Sequence, residues 1–386
     1  MTAPVMAASA RGAAAGPARA ADADARFMDL ALALGRRGLG QTWPNPSVGC
    51  VVVRFDGDTP VIVGRGVTQP GGRPHAEVEA LRHAGAAARG ATLYATLEPC
   101  SHHGKTPPCA DAIVAAGVAR VVSSMEDPNP EISGRGHARL RAAGIAVEVG
   151  PGAAQARRAH AGHLCRIRDG HPHVMLKLGI SADGKVGLPG RRPVQITGAA
   201  ARDRIHMMRA QSDAIMIGIG TALADDPQLT CRLPGMAARS PVRVIVDSAL
   251  RLPLDSVLVR TARQTPVWVV ASADAPEGSD AALRARGVEV FRLDAPGRPD
   301  LGRVLRLLAG RGITRLMVEG GPLMAAALVG ADLVDEVDLV RAPRPLGEGI
   351  DALEGLPLTA ITQSPRFAAR AIEAIGEDTL ESYERV

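Results

Sequence analysis

The sequence predicts an α/β protein folded as two units in tandem, and three observations carry that expectation. Its 386 residues exceed one ordinary domain. Short β-prone runs alternate with helical stretches along both halves, the pattern of a layered α/β architecture. Between the halves, around Gly150-Pro151-Gly152, the periodicity breaks. Hydrophobic residues make up 46% of the chain, enough for ordinary cores. Aromatics are only 2%, so those cores must be built from Ala, Val, Leu and Ile.

Residues 1–25 are rich in alanine and arginine, lack a compact apolar core and close on Asp22 and Asp24, which reads as a disordered tail. The first unit, 26–150, opens with a helix near 27–35 and strands over 48–53 and 61–67. A helix over 76–84 places Val78, Leu81 and Ala84 on one face, and Pro74 just before His75 marks its start. A strand over 91–97, a helix over 110–116 and a strand over 118–124 follow. Residues 151–172, rich in arginine and histidine with little periodicity, read as a solvated linker. Its histidines and the adjoining one, His160, His163, His171 and His173, lack cysteine or carboxylate partners at ligand spacing and are not read as a metal cluster.

The second unit, 173–386, alternates again: a strand over 174–180, a helix after Thr197, and strands over 214–218, 242–246, 267–270 and 316–319. The last strand ends at Gly320-Gly321-Pro322 and runs into an apolar helix over 323–329, which puts bare backbone N–H groups at a helix N-terminus, a ready anion site. Neither this turn nor Gly218-Ile219-Gly220-Thr221 has the full G-x-G-x-x-G spacing, and close packing of glycine competes as an explanation. The polar loop over 220–232 is dense in hydrogen-bonding groups, though paired aspartates beside proline also form ordinary turns.

The sharpest chemistry lies in His75-Ala76-Glu77, Pro99-Cys100 and Cys109. A catalytic zinc keeps three protein ligands and one open position for water, and His75, Cys100 and Cys109 offer donors of the right kind. Glu77 is the spare carboxylate that can shuttle the proton of such a water to a departing amine. Zinc deaminases carry H-x-E with P-C-x-x-C, whereas here eight residues separate the two cysteines. The intervening loop is polar, cationic and stiffened by proline, as a substrate-reading loop would be. His75 and Glu77 can share a site only where the helix begins, because residues two apart on a regular helix point about 200° away from each other. A structural zinc site is the weaker reading, since it would need a fourth ligand.

Net charge is +5 and the isoelectric point about 9.2. The charges do not cluster and base-stacking aromatics are scarce, so nucleic acid is not the expected partner. No apolar run reaches membrane-spanning length. Cys50, Cys165 and Cys231 are scattered and odd in number, which implies no disulfide framework and fits a reducing cytoplasm. Of 45 basic residues only Lys105, Lys177 and Lys185 are lysine. Arginine cannot replace a compact, titratable ammonium, which marks Lys105 and Lys177 as functional candidates.

Together these residues resemble the bifunctional riboflavin-biosynthesis family that joins a diaminohydroxyphosphoribosylaminopyrimidine deaminase to a 5-amino-6-(5-phosphoribosylamino)uracil reductase. The likeness spans nearly all of the chain after residue 25. It rests on Pro44-Asn45-Pro46, His75-Ala76-Glu77-Val78, the run 97–109, Asp127-Pro128-Asn129-Pro130, Lys177-Leu178-Gly179, Asp183-Gly184-Lys185, Ile196-Thr197-Gly198 and Val318-Glu319-Gly320-Gly321. The resemblance implies a cytidine-deaminase-like three-layer domain followed by a dihydrofolate-reductase-like domain. It implies zinc on His75, Cys100 and Cys109, Glu77 as general acid and base, and Asn45, His102 and Lys105 as contacts to the pyrimidine. For the reductase it implies NADPH as hydride source, with Ile180, Thr197, Thr221, Asp225, Ser248, Gly320, Gly321, Pro322 and Leu323 at the cofactor. Arg209, Leu229, Arg232 and Glu319 become substrate positions, the arginines suiting a phosphate, and either Lys177 or Asp225 handles the accompanying proton. The partner implied is a phosphoribosylated pyrimidine, with no nucleic acid or membrane, in a cytoplasmic homo-oligomer. The chain departs from the family at Pro193 and Gln195, where many members carry a serine and a tryptophan that touch substrate and cofactor. A zinc deaminase of nucleic acid or nucleotides with an accessory binding domain is the alternative, and a nonenzymatic nucleotide sensor a third reading.

Overall fold

The computed structural model describes residues 17–56, 59–104, 106–130, 132–191 and 194–386. The chain divides into two compact units. The first comprises the chain through Arg37 with Ser47–Gln69 and Arg73–Ala159; the second comprises Gly38–Pro46, Pro70–Gly72 and His160–Val386.

In the first unit the elements run α1 (Pro17–Arg36), β1 (Gly49–Asp56), β2 (Thr59–Val67), α2 (Ala76–Ala84), β3 (Thr92–Ala95), α3 (Cys109–Ala116), β4 (Arg120–Ser123), α4 (Arg135–Ala142), β5 (Ala146–Val149) and α5 (Ala153–Ala159). They build a five-stranded sheet of order β2-β1-β3-β4-β5. The β1 pairs with β2 and β3 are antiparallel; the β3, β4 and β5 pairs are parallel. Side chains of a strand alternate between faces, and β1 shows the consequence. Val51 and Val53 pack with Phe27, Met28, Ala31 and Leu32 of α1 on one face. Cys50 and Val52 pack with Ala76 and Ala80 of α2, Ile113 of α3 and Leu140 of α4 on the other. Burial on both faces explains why 48–53 reads as one apolar run.

Close approach of α2 to β2 depends on glycine. A Cβ at Gly66 would lie 2.1 Å from the Ala76 carbonyl oxygen, and one at Gly64 would lie 2.2 Å from that of Ala80.

The second unit runs α6 (Ala161–Arg168), β6 (His173–Ile180), β7 (Lys185–Gly187), α7 (Ala199–Ala210), β8 (Ala214–Gly218), α8 (Ile219–Asp225), β9 (Val242–Val246), α9 (Val257–Arg260), β10 (Val267–Ala271), α10 (Glu277–Ala285), β11 (Glu289–Arg292), α11 (Leu301–Gly310), β12 (Arg315–Val318), α12 (Pro322–Gly330), β13 (Glu336–Arg341), β14 (Ile350–Asp351), α13 (Thr359–Thr362), β15 (Phe367–Ile375) and β16 (Asp378–Arg385). Among the described residues its main sheet has nine strands in the order β11-β10-β9-β8-β12-β6-β13-β16-β15. The strands from β11 to β13 are parallel, and β16 and β15 close the edge as an antiparallel hairpin. β12, late in the chain, inserts between β8 and β6, so the winding reverses there and a crevice opens beyond their carboxyl ends.

Two sequence expectations are corrected. The stretch expected as disordered tail through residue 25 is helical from Pro17 onward, and residues 1–16 lie outside the described ones. Asp24, 3% exposed, is an anchor: it accepts hydrogen bonds from the Tyr94 hydroxyl at 2.8 Å and from two Arg120 nitrogens at 2.8 and 2.6 Å. The stretch expected as solvated linker is also ordered and packed, with α5 and α6 inside it and His160 buried. Gly162 lies so close to β12 that a Cβ there would meet the Thr314 carbonyl oxygen at 2.6 Å.

Removing Asp24 strands a phenol and a guanidinium donor that it alone brings together. Asp24→Ala is expected to destabilise the first unit by about 2 kcal/mol and Tyr94→Phe by about 1 kcal/mol. Urea unfolding followed by circular dichroism checks the order; equal midpoints for Asp24→Ala and wild type would refute the anchor.

Candidate active sites

Three separate segments deliver the metal-competent donors of the first unit. His75 is the N-cap of α2, in extended backbone with φ −70° and ψ 158°, so its ring is free of the helix and Glu77 two residues on can face the same space. Cys109 opens α3, and Cys100 sits in the loop nine residues before it. β3 stops at Ala95, two residues short of the expected strand end, and α3 starts at the second cysteine, one residue before the expected helix.

His75 Nδ1 lies 3.6 Å from Cys100 Sγ and 3.3 Å from Cys109 Sγ. A tetrahedral zinc with Zn–S of about 2.3 Å and Zn–N of about 2.05 Å requires an S···N separation of about 3.6 Å. The donor set thus fits zinc in both chemistry and spacing. It is the one group of its kind found among the described residues. The Cys109 N–H, at the positive end of α3, donates to Cys100 Sγ at 3.3 Å. Pairing with Cys109 pushes the Cys100 thiol down to about 4, while that pairing and burial push Cys109 up. Contact with Cys100 raises His75.

Glu77 is 3% exposed, and its Oε2 is buried without a protein hydrogen-bond partner. Burial pushes its carboxyl up to about 7. His102 is exposed on the loop between the cysteines. Lys105 lies outside the described residues. Asn45, expected at the pyrimidine, belongs to a loop grouped with the second unit, where its Nδ2 donates to the Gly72 carbonyl at 2.8 Å.

In the second unit a cavity of about 840 Å³ opens at the carboxyl ends of β6, β8 and β12. Lys177, Thr197, Thr221, Asp225, Arg232, Glu319, Gly320, Gly321 and Pro322 all line it, as does Gln195. Its floor is a charge cluster. Glu319 takes a two-pronged ion pair from Arg209, Nε–Oε1 2.7 Å and Nη2–Oε2 3.0 Å, and faces Lys177 Nζ at 3.7 Å. Burial alone would raise Glu319, but Lys177 and Arg209 outweigh it and hold the carboxyl at about 2. Burial lowers Lys177, with Glu319 restoring part of the loss. The N-terminus of α12 faces the cavity through Gly320, Gly321 and Pro322. With Arg202 and Arg232 also in the wall, this donor set suits a polyanionic dinucleotide and a phosphate.

Some expected positions fall elsewhere. The Ile180 side chain is fully buried in the hydrophobic core, and Leu229 is 3% exposed. Leu323 points outward from α12 and is exposed. Ser248 spends its carbonyl on the Ser272 hydroxyl at 2.7 Å. None of the four lines the cavity. Arg209, expected at a phosphate, has its fork engaged by Glu319, and its Nη1 donates to the Thr230 carbonyl at 3.2 Å. Leu229 has φ 55°, an unusual left-handed conformation for a branched residue, in the loop that carries Arg232. Pro193 lies outside the described residues. Sequence reasoning missed Arg202. Its signal was spacing: Arg202, His206 and Arg209 follow i, i+4, i+7 on α7 and share one face.

Both halves have known counterparts. Residues 21–125 match the cytidine and deoxycytidylate deaminase zinc-binding region, and residues 172–380 match the RibD C-terminal domain. The riboflavin biosynthesis protein RibD of Escherichia coli is 41% identical over 367 residues, covering 92% of this chain and 97% of the relative. That of Aquifex aeolicus is 37% identical over 362 residues, covering 94% and 98%. Among solved structures, Acinetobacter baumannii RibD superposes with a TM-score of 0.83 at 35% identity, over 95% of this chain and 99% of that one. The diaminohydroxyphosphoribosylaminopyrimidine deaminase/5-amino-6-(5-phosphoribosylamino)uracil reductase of Thermotoga maritima gives 0.82 at 33%, over 95% and 100%. With a zinc-competent deaminase centre in one unit, a reductase cavity in the other and relatives matched end to end, the chain belongs to the RibD family of zinc- and NADPH-dependent enzymes that carry out two successive steps of riboflavin biosynthesis.

Proposed function

We propose that residues 26–150 deaminate 2,5-diamino-6-(5-phosphoribosylamino)pyrimidin-4(3H)-one and that residues 173–386 reduce the ribosyl group of the product to ribityl. The observation that carries the first assignment is the convergence of His75 Nδ1 with two cysteine sulfurs beside a buried, unpartnered Glu77 oxygen. His75, Cys100 and Cys109 hold the zinc. When bound, it supplies a water acidic enough to act as hydroxide near neutral pH. Glu77, with its carboxyl at about 7, is poised to hold the proton of that nucleophile and to pass it to the leaving amine. His102 and Lys105 contact the pyrimidine.

In the second unit Thr197, Thr221, Asp225, Gly320, Gly321 and Pro322 would hold NADPH, whose contribution there would be the hydride for the sugar carbon bonded to nitrogen. Arg232, exposed and lining the cavity, takes the substrate phosphate. Arg209 acts through Glu319, fixing that carboxylate from behind. Lys177, in the cavity wall 3.7 Å from Glu319 and with its ammonium lowered from the ordinary value by burial, supplies the accompanying proton. No helix among the described residues is long and apolar enough to cross a membrane. A cytoplasmic homo-oligomer acting on a small phosphoribosylated pyrimidine, and not on nucleic acid, completes the reading.

A coupled assay tests both halves, with ammonia release followed by loss of NADPH absorbance. Glu77→Gln is expected to slow ammonia release at least about a hundredfold, the lower end for loss of a general acid and base. Zinc content and reduction of supplied intermediate should stay at wild-type level; collapse of both activities in folded protein would overturn the assignment. Arg232→Ala is expected to raise KM for the deaminated intermediate about tenfold with kcat little changed, the mark of a lost binding contact. An unchanged KM would remove Arg232 from the phosphate site.

A further inference from the structure

Glu98, one residue before Pro99-Cys100, is 3% exposed and takes no part in the chemistry above. Its carboxylate is saturated by backbone. Oε2 accepts from the N–H of Asp127 at 3.0 Å and of Gly134 at 2.9 Å. Oε1 accepts from the N–H of Gly136 at 2.8 Å and of His137 at 3.3 Å. Gly134 is the N-cap of α4, and Gly136 and His137 lie in its first turn, so a carboxylate from the zinc loop caps a helix from a distant stretch of chain. A carboxylate offers about four acceptor sites, and all are used.

The junction is tight on the ligand side as well. A Cβ at Gly136 would stand 2.0 Å from the Pro99 carbonyl oxygen, the bond leading into Cys100. One turn along α4, Arg139 donates to the Ser101 carbonyl at 3.4 Å and pairs through Nε with Asp111 of α3 at 2.6 Å. The helix therefore grips the residues on both sides of Cys100 and the helix that begins with Cys109. It also gives a structural place to Asp127-Pro128-Asn129-Pro130, a motif assigned to neither reaction above. Asp127 Oδ1 accepts the Asn129 N–H at 2.9 Å and its own N–H is one of the four on Glu98.

We propose that Glu98 is a positioning residue for the zinc thiolates: by clamping the loop before Cys100 onto α4 it sets where the Cys100 sulfur stands relative to His75 and Cys109. The proposal rests on the zinc reading of that site. Glu98→Gln is the sharp probe, because an amide keeps the size but puts an NH₂ against two backbone N–H donors whichever way it is turned. The gentler Arg139→Ala loosens the same brace from the half-exposed side.

The experiment uses the full-length holoprotein. Zinc per chain and its release to a chromophoric chelator are measured, together with the d–d spectrum of the cobalt-substituted protein, which reports thiolate geometry. Wild type, Glu98→Gln, Arg139→Ala and Tyr94→Phe are compared, the last removing one buried hydrogen bond away from the site. Glu98→Gln is expected to release zinc at least about tenfold faster with shifted cobalt bands, the scale on which residues supporting metal ligands act. Arg139→Ala should show a smaller change in the same direction, and Tyr94→Phe should match wild type in both readouts despite lower stability. Supplied intermediate should be reduced at the wild-type rate throughout. Wild-type release and spectra in Glu98→Gln, or in Arg139→Ala if Glu98→Gln does not fold, would overturn the proposal. Absence of stoichiometric zinc in wild type would instead defeat the reading of the site itself.

Discussion

The deaminase half depends on one geometric constraint: three donors from unconnected segments must stand about 3.6 Å apart around a point no chain segment occupies. Each donor meets it by sitting where regular structure starts or has just stopped. His75 caps α2, Cys109 opens α3, and Cys100 lies in the loop after β3. None has side-chain freedom enough to correct a misplaced backbone, so the positions of the helices decide the site. The glycines of β2 let α2 lie against the sheet, and with a Cβ at Gly66 the start of that helix would be pushed off. Packing of small residues is thus a condition of the chemistry, which is consistent with the alanine-rich face that α2 turns inward.

The second unit solves a different problem with the same economy of parts. Its cavity floor must hold cations near an anionic substrate and cofactor while remaining buried, and a buried charge without a partner is strongly unfavourable. Glu319 supplies the partner for both Arg209 and Lys177. Its position just past β12 follows from topology. β12 enters the sheet between β8 and β6, so its carboxyl end falls at the reversal point, with Lys177 on the neighbouring strand beside it. The strand period then sorts β6: Leu176, Leu178 and Ile180 enter the core, while Lys177 reaches the charge cluster.

That sorting separates what could be read in the sequence from what could not. The zinc donors were legible because metal chemistry restricts residue type, and the strand 214–218 was legible because burial on both faces leaves a continuous apolar run, a pattern that 242–246 keeps except at the buried Arg243. Ile180 and Leu323 were placed at the cofactor by motif position alone; the Ile180 side chain lies in the core and that of Leu323 is exposed, so any contact either makes to the cofactor is through backbone. Asp24 closed a stretch that read as a disordered tail, yet its partner Arg120 is 96 residues away, a distance at which local pattern is silent. The β15 and β16 hairpin escaped for another reason. β15 is the edge strand and leaves most of its surface to solvent, and its residues alternate weakly between alanine and charge. Its partner β16 lies inside the sheet between β13 and β15 but carries polar residues at alternate positions. Glu98 carries no signal in the sequence, because acceptance from backbone about thirty to forty residues away leaves no local pattern.

Lysine scarcity gains a physical meaning at Glu319. Both of its oxygens are already met by the planar fork of Arg209 at 2.7 and 3.0 Å. A second guanidinium would bring five more donors to a buried carboxylate with no bidentate face left for them. An ammonium is a compact charge that gains from the field at 3.7 Å without needing that face. Guanidinium also stays protonated throughout the accessible pH range, whereas a buried ammonium can give up a proton. Lys185, by contrast, forms an ordinary surface pair with Asp351 at 2.7 Å, a place where arginine would serve as well. In a chain that has otherwise drifted to arginine, position 177 is where the drift meets a site that only the smaller, titratable cation can fill.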